Sequence, residues 1–109
     1  MVSTFKTIEL GAIAAGADNE DTWTPERDIT IKKIMINERS GAAVNAVKIY
    51  LSLAGQTYTK PFVPASAIGS NLEYCWKPNQ PVAKGTEIYV KAENAGASEV
   101  NIDIVFEYE

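Results

Sequence analysis

The stretch that decides the fold is 82-VAKGTEIYVKAENAGASEVNIDIVFEYE-109. Ile88, Val90 and Ala92 fall on one parity, with Glu87, Lys91 and Glu93 between them. After a break at Asn94 to Gly96 the alternation resumes. Val100, Ile102, Ile104, Phe106 and Tyr108 take one face, Glu99, Asn101, Asp103 and Glu107 the other, and only Val105 stands out of pattern. Successive side chains of a strand point to opposite faces, so this spacing describes two half-buried antiparallel strands joined by a Gly-containing loop. No helix fits that period. The second strand runs to Glu109, so the C-terminus is expected to be stitched into a sheet.

Upstream, the same logic extends over the rest of the chain. Leu72, Tyr74 and Trp76 alternate with Glu73 and Cys75, and Pro78 and Pro81 close that run. Val47, Ile49, Leu51 and Leu53 make a four-position apolar face with Lys48, Tyr50 and Ser52 outward. A turn at Ala54-Gly55-Gln56 leads into Thr57 to Val63, where Pro61 implies an edge strand, since proline has no N–H for a ladder. From Ile29 to Asn37 the parity slips, with Ile29 and Ile31 odd and Ile34 and Ile36 even, as at a β-bulge. Thr22 to Thr24 is a short β segment carrying Trp23, and Thr4 to Leu10 is a first strand. Gly11 to Asp21 reads as an irregular connection ending in an acidic turn, Asp18-Asn19-Glu20-Asp21.

The pattern predicts an all-β protein: a single domain over residues 1–109, an antiparallel β-sandwich of about eight strands, jelly-roll-like or Ig-like, without significant helix. An internal echo supports a symmetric sandwich. Trp23-Thr24-Pro25 recurs as Trp76-Lys77-Pro78, and Glu38 to Ala42 recurs as Glu93 to Ala97.

Composition narrows the chemistry. The 109 residues carry ten basic and fourteen acidic groups, a formal charge of -4, with no basic stripe to displace counterions from nucleic acid. Nucleic acid is therefore not an expected partner. Neither is a membrane, because no apolar run approaches the roughly 18 residues of a span and no signal peptide opens the chain. Cys75 is the only cysteine and there is no histidine, so Cys75 lacks the usual base and reads as a buried, inert thiol. The acidic turn at Asp18 to Asp21 lacks the ordering of a calcium loop. The Asp and Glu residues alternate outward or sit in loops, as a solvated face does, and no phosphate loop precedes a helix. No catalytic, metal or cofactor residues are assigned, and an enzyme is not expected.

The aromatics remain. Tyr74 and Trp76 share the parity of Leu72 and read as core, and Trp23 beside Pro25 reads as a plug. Tyr50 and Tyr89 lie on the polar faces of their strands and are the candidate interface residues. With Trp23, Trp76, Tyr58 and Tyr74 they could also form a sugar-stacking platform, which allows a carbohydrate- or receptor-binding module, the alternative function.

The order of signals resembles small virion structural proteins of tailed phages and similar prokaryotic viruses. The matching parts are 23-WTPERDITIKKIMINERSGAAVNAVKIYL-51, then Phe62-Val63-Pro64-Ala65-Ser66, then 81-PVAKGTEIYVKAEN-94 and a last strand with 102-IDIVFEY-108. The resemblance implies a capsid decoration or capsid-associated subunit, made in a host cytoplasm and located in the virion. Its partners would be capsid or other virion proteins and its own copies, and it carries over no individual site residue.

Overall fold

The computed structural model describes residues 4–42, 44, 46–53, 56–57, 63–69 and 75–109. In chain order these form β1 (Thr4–Ile13), β2 (Asp18–Trp23), β3 (Ile29–Glu38), β4 (Val47–Leu53), β5 (Gln56–Thr57), β6 (Val63–Pro64), α1 (Ala65–Ile68), β7 (Gln80–Val82), β8 (Ile88–Asn94) and β9 (Val100–Tyr108). One sheet has the order β1-β9-β3-β7; the other runs β2-β8-β4-β5, with β6 also on β4. All named pairs are antiparallel. Outside the β4-β5-β6 segment, each successive strand lies in the opposite sheet, which is the connectivity of a jelly roll and not of an Ig sandwich.

The deciding stretch folds as its alternation requires. Ile88, Val90 and Ala92 of β8 and Val100, Ile102, Ile104 and Phe106 of β9 are buried, and they face one another across the sandwich from different sheets. β4 adds Val47, Ile49, Leu51 and Leu53. The parity slip in β3 is a bulge between Ile31 and Lys33, which lets Ile29, Ile31, Ile34 and Ile36 all reach the core. Glu109 exchanges backbone hydrogen bonds with Thr30, both 3.0 Å, so the last residue is in the sheet as expected.

Two elements differ from expectation. The supposed connection over Gly11 to Asp21 is largely β structure. β1 continues to Ile13 across a second bulge at Glu9/Gly11, where Gly11 supplies a φ of 75°, and Asp18 already begins β2. The acidic turn is thus an edge strand, polar because only Asn19 and Trp23 of it are partly covered. Second, Pro81 does not close a strand but sits in β7, opposite Thr30 at the sheet edge, where a missing N–H costs no ladder bond. The run from Leu72 to Trp76 survives in the described residues as two bridges, Gly69↔Cys75 and Ile34↔Trp76. Leu72, Tyr74, Tyr58 and Pro61 lie outside the described residues. Cys75 is half-buried rather than buried.

The internal echo has a counterpart in the topology. β2 precedes β3 and lies in the opposite sheet, on β8; β7 precedes β8 and lies on β3. The rows β2-β8-β4 and β7-β3-β9 are therefore related by exchanging the two halves of the chain.

Candidate functional site

A sandwich with a closed core can act only through its outer faces, its edges and its open ends. The two outer faces differ in chemistry. On the sheet containing β8, the outward rows follow from the register: Asp18, Glu93 and Lys48; then Glu20, Lys91 and Tyr50; then Thr22, Tyr89 and Ser52. Tyr50 and Tyr89 are thereby brought to one face as diagonal neighbours, both half-buried. Their own chain already engages them. The Tyr89 hydroxyl donates to Glu20 Oε2, and Lys91 Nζ lies 5.9 Å from the Tyr50 ring centroid and 3.6 Å from Asp18 Oδ2.

Burial and then the hydrogen bond to the Glu20 carboxylate push the Tyr89 phenol up to about 12. A raised folded-state value stabilises the fold while the phenol stays protonated. The contribution is whole below about pH 10, where an unfolded tyrosine ionises, and is lost as pH rises through the folded value. Absorbance at alkaline pH should therefore show a tyrosine ionisation step at about pH 12. Tyr89→Phe should remove that late step; an unchanged titration curve would disprove the assignment.

On the sheet containing β9, the outward rows are Phe5, Glu107 and Lys33; then Thr7, Val105 and Met35; then Glu9, Asp103 and Asn37. Phe5 is 51% exposed, the one large exposed hydrophobic among the described residues. Val105 is half-buried, and Met35 is buried yet stands outside the core cluster. Val105 and Met35 stand directly opposite each other on β9 and β3, and Phe5 on β1 is the diagonal neighbour of Val105. Around them the charges alternate in sign: Lys33 Nζ is 3.7 Å from Glu107 Oε2, and Arg39 reaches Asp103 at 2.7 Å and Glu9 at 2.8 Å. Both carboxylates hold the Arg39 guanidinium protonated beyond its ordinary range, Asp103 more strongly. Three shielded acceptors on β9, Asn101 Oδ1, Asp103 Oδ1 and Glu107 Oε2, accept no hydrogen bond among the described residues, although Glu107 Oε2 faces Lys33. Val105 had signalled this face in the sequence by breaking the alternation. Phe5 and Met35 join it only through the strand register.

The other sequence candidates are placed plainly. Trp23 packs on Phe106 and Tyr108, with ring centroids 5.6 and 5.1 Å away, and Trp76 packs partly buried against the core. The carboxylates of Asp18 to Asp21 diverge: Asp18 turns to Lys91, Glu20 to Tyr89, and Asp21 accepts from the Thr22 N–H at 2.7 Å. Among the described residues no helix is long and apolar enough to cross a membrane.

No family model and no curated protein matches the chain. Among solved structures, the chain is similar to the Drosophila NLP-core. The likeness has a TM-score of 0.44 and 14% identity, over 97% of this chain and 98% of that one. That crystal structure is described as providing insight into pentamer formation and histone binding. The neighbour is not a virion protein. The expected role as a virion structural protein, a capsid decoration or capsid-associated subunit, is corrected on this finding, together with its carbohydrate-binding alternative. The expected partner set, capsid or other virion proteins with nucleic acid excluded, is corrected with it. The physical reason is that alternating strands and turn residues, the signals behind the resemblance, are demands of the fold and carry no function of their own. At this level the likeness passes neither pentamers nor histones to the present chain.

Proposed function

We propose that this chain is a non-catalytic assembly subunit that binds a second copy of itself through the outward face of the β1-β9-β3-β7 sheet. The observation that carries the reading is the exposed Phe5 beside the half-buried Val105, ringed by Lys33, Glu107, Glu9 and Asp103, whereas the opposite sheet shows no exposed large hydrophobic among the described residues. Exposed apolar surface rimmed by charge marks contact sites. The rim here has both signs, so a twofold can set Lys33 of one copy against Glu107 of the other.

The size of the face sets the strength. Three strands of nine or ten residues, at about 3.4 Å per residue and about 4.8 Å apart, give roughly 450 Å² per copy. Doubled, this is near the lower limit of about 1,000 Å² for a specific contact, so association should be reversible and concentration-dependent. Sedimentation equilibrium on the intact chain should show a self-association that Phe5→Asp abolishes while leaving the circular dichroism of the monomer unchanged. A strictly monomeric wild-type chain at high concentration, or a Phe5→Asp variant that associates as before, would overturn the reading.

A further inference from the structure

The open end of the sandwich carries a second feature, separate from that face. Where β2 ends at Trp23 and the chain turns through Pro25 into β3, a cleft of about 660 Å³ opens between the turn and the end of β9. That volume lies within the range of small-molecule sites, about 300–1,000 Å³. Its wall is aromatic and fixed: Trp23 and Tyr108 pack at 5.1 Å, and Phe106 holds Trp23 from the core side at 5.6 Å. An apolar ring entering here meets surfaces that need no reordering.

The rim is cationic and unneutralised. The Arg27 guanidinium stands 5.7 Å from the Tyr108 ring centroid, and its hydrogen bond goes to the carbonyl of the adjacent Asp28 at 3.3 Å. No carboxylate is paired with it among the described residues. Lys6 also lines the cleft and makes no ion pair among those residues, even though the protein as a whole is acidic. Glu26 is the one carboxylate in the lining. Two positive groups above an aromatic wall, opposed by one negative group, define the ligand by charge and shape.

We infer that this cleft binds a small organic monocarboxylate, with its ring-sized apolar body on Trp23 and Tyr108 and its acid group between Arg27 and Lys6. Arg27 supplies a planar fork matched to a carboxylate, and the stack on Tyr108 keeps that fork at the rim. Glu26 repels a second acid group, so monoacids are preferred to diacids. The site does not depend on self-association, since Phe5, Val105 and Met35 of the sheet face are not part of its lining.

The test uses the intact, 15N-labelled chain titrated with 3-phenylpropionate, its neutral amide and phenylsuccinate. The two indole N–H signals, Trp23 and Trp76, serve as reporter and internal control. The Trp23 signal should shift saturably while that of Trp76 stays in place. The amide and the diacid should each bind about tenfold more weakly than the monoacid, the loss expected for one charge-assisted contact. Arg27→Gln should weaken the monoacid by a similar factor with the spectrum otherwise native. Lys6→Gln gives the same reading if Arg27→Gln disturbs the turn. No saturable shift by about 10 mM ligand, equal binding of acid and amide, or wild-type affinity in both variants would each overturn the site.

Discussion

Replacing Phe106 with Ala is expected to lower the free energy of unfolding by about 3–5 kcal/mol, the cost of emptying a large core position that its surroundings cannot refill. Phe106 is fully buried near the end of β9, paired on one side with Lys6 of β1 and on the other with Ile34 of β3. It also supports Trp23, the last residue of the opposite sheet's edge strand. The cavity would therefore open at the contact that fastens β2 to β9. Urea unfolding followed by far-ultraviolet circular dichroism would measure the loss, and near-ultraviolet circular dichroism would report loosening of Trp23. Phe106→Leu, which keeps most of the volume, should cost less than half as much. A Phe106→Ala loss below about 1.5 kcal/mol would mean that the two sheets are not held together there.

The strands legible in the sequence are those that bury one face along an unbroken period. β4, β8 and β9 carry three or more inward apolar residues each, so their alternation is their burial pattern. β2 was hidden for the opposite reason. An edge strand has one hydrogen-bonded neighbour and little core to face, and Asp18 to Thr22 contains no apolar residue to reveal a period. β7 was hidden by its length of three residues and by Pro81, whose meaning depends on lying at an edge. The outward position of Tyr50 and Tyr89 was readable from parity. Their engagement by Lys91 and Glu20 was not, because both contacts join strands far apart in the chain. The apolar group of Phe5, Met35 and Val105 likewise joins three distant positions, and only Val105 left a local trace. The cleft at Trp23 has the same character: its wall and rim come from β1, the end of β2, the turn into β3 and the end of β9.

Asn94 carries the second large expected effect, and it lies where the alternation of β8 stops. It occupies the fourth inward position after Ile88, Val90 and Ala92, and is 1% exposed. Its Nδ2 donates to the carbonyls of Ile13 at 3.0 Å and Ser98 at 2.7 Å, and its Oδ1 accepts from the Gly96 N–H at 3.0 Å. Its backbone also bonds Gly16 and Ala17, so one residue ties the end of β1, the turn into β2 and the loop into β9. Asn94→Ala removes three hydrogen bonds of about 1 kcal/mol each and strands the buried Ile13 carbonyl, for an expected loss of about 3–4 kcal/mol. Asn94→Asp is the sharper variant. It keeps the shape and the acceptor but sets a carboxylate against two carbonyl oxygens, so at neutral pH it should cost at least as much as Asn94→Ala. Protonation restores one donor, so the acid's folded-state pKa is raised and the loss should shrink as pH falls toward the acidic range. Urea unfolding of both variants at neutral and mildly acidic pH distinguishes the cases. Equal losses for the two variants at both pH values would show that volume, and not the donated hydrogen bonds, is what Asn94 contributes.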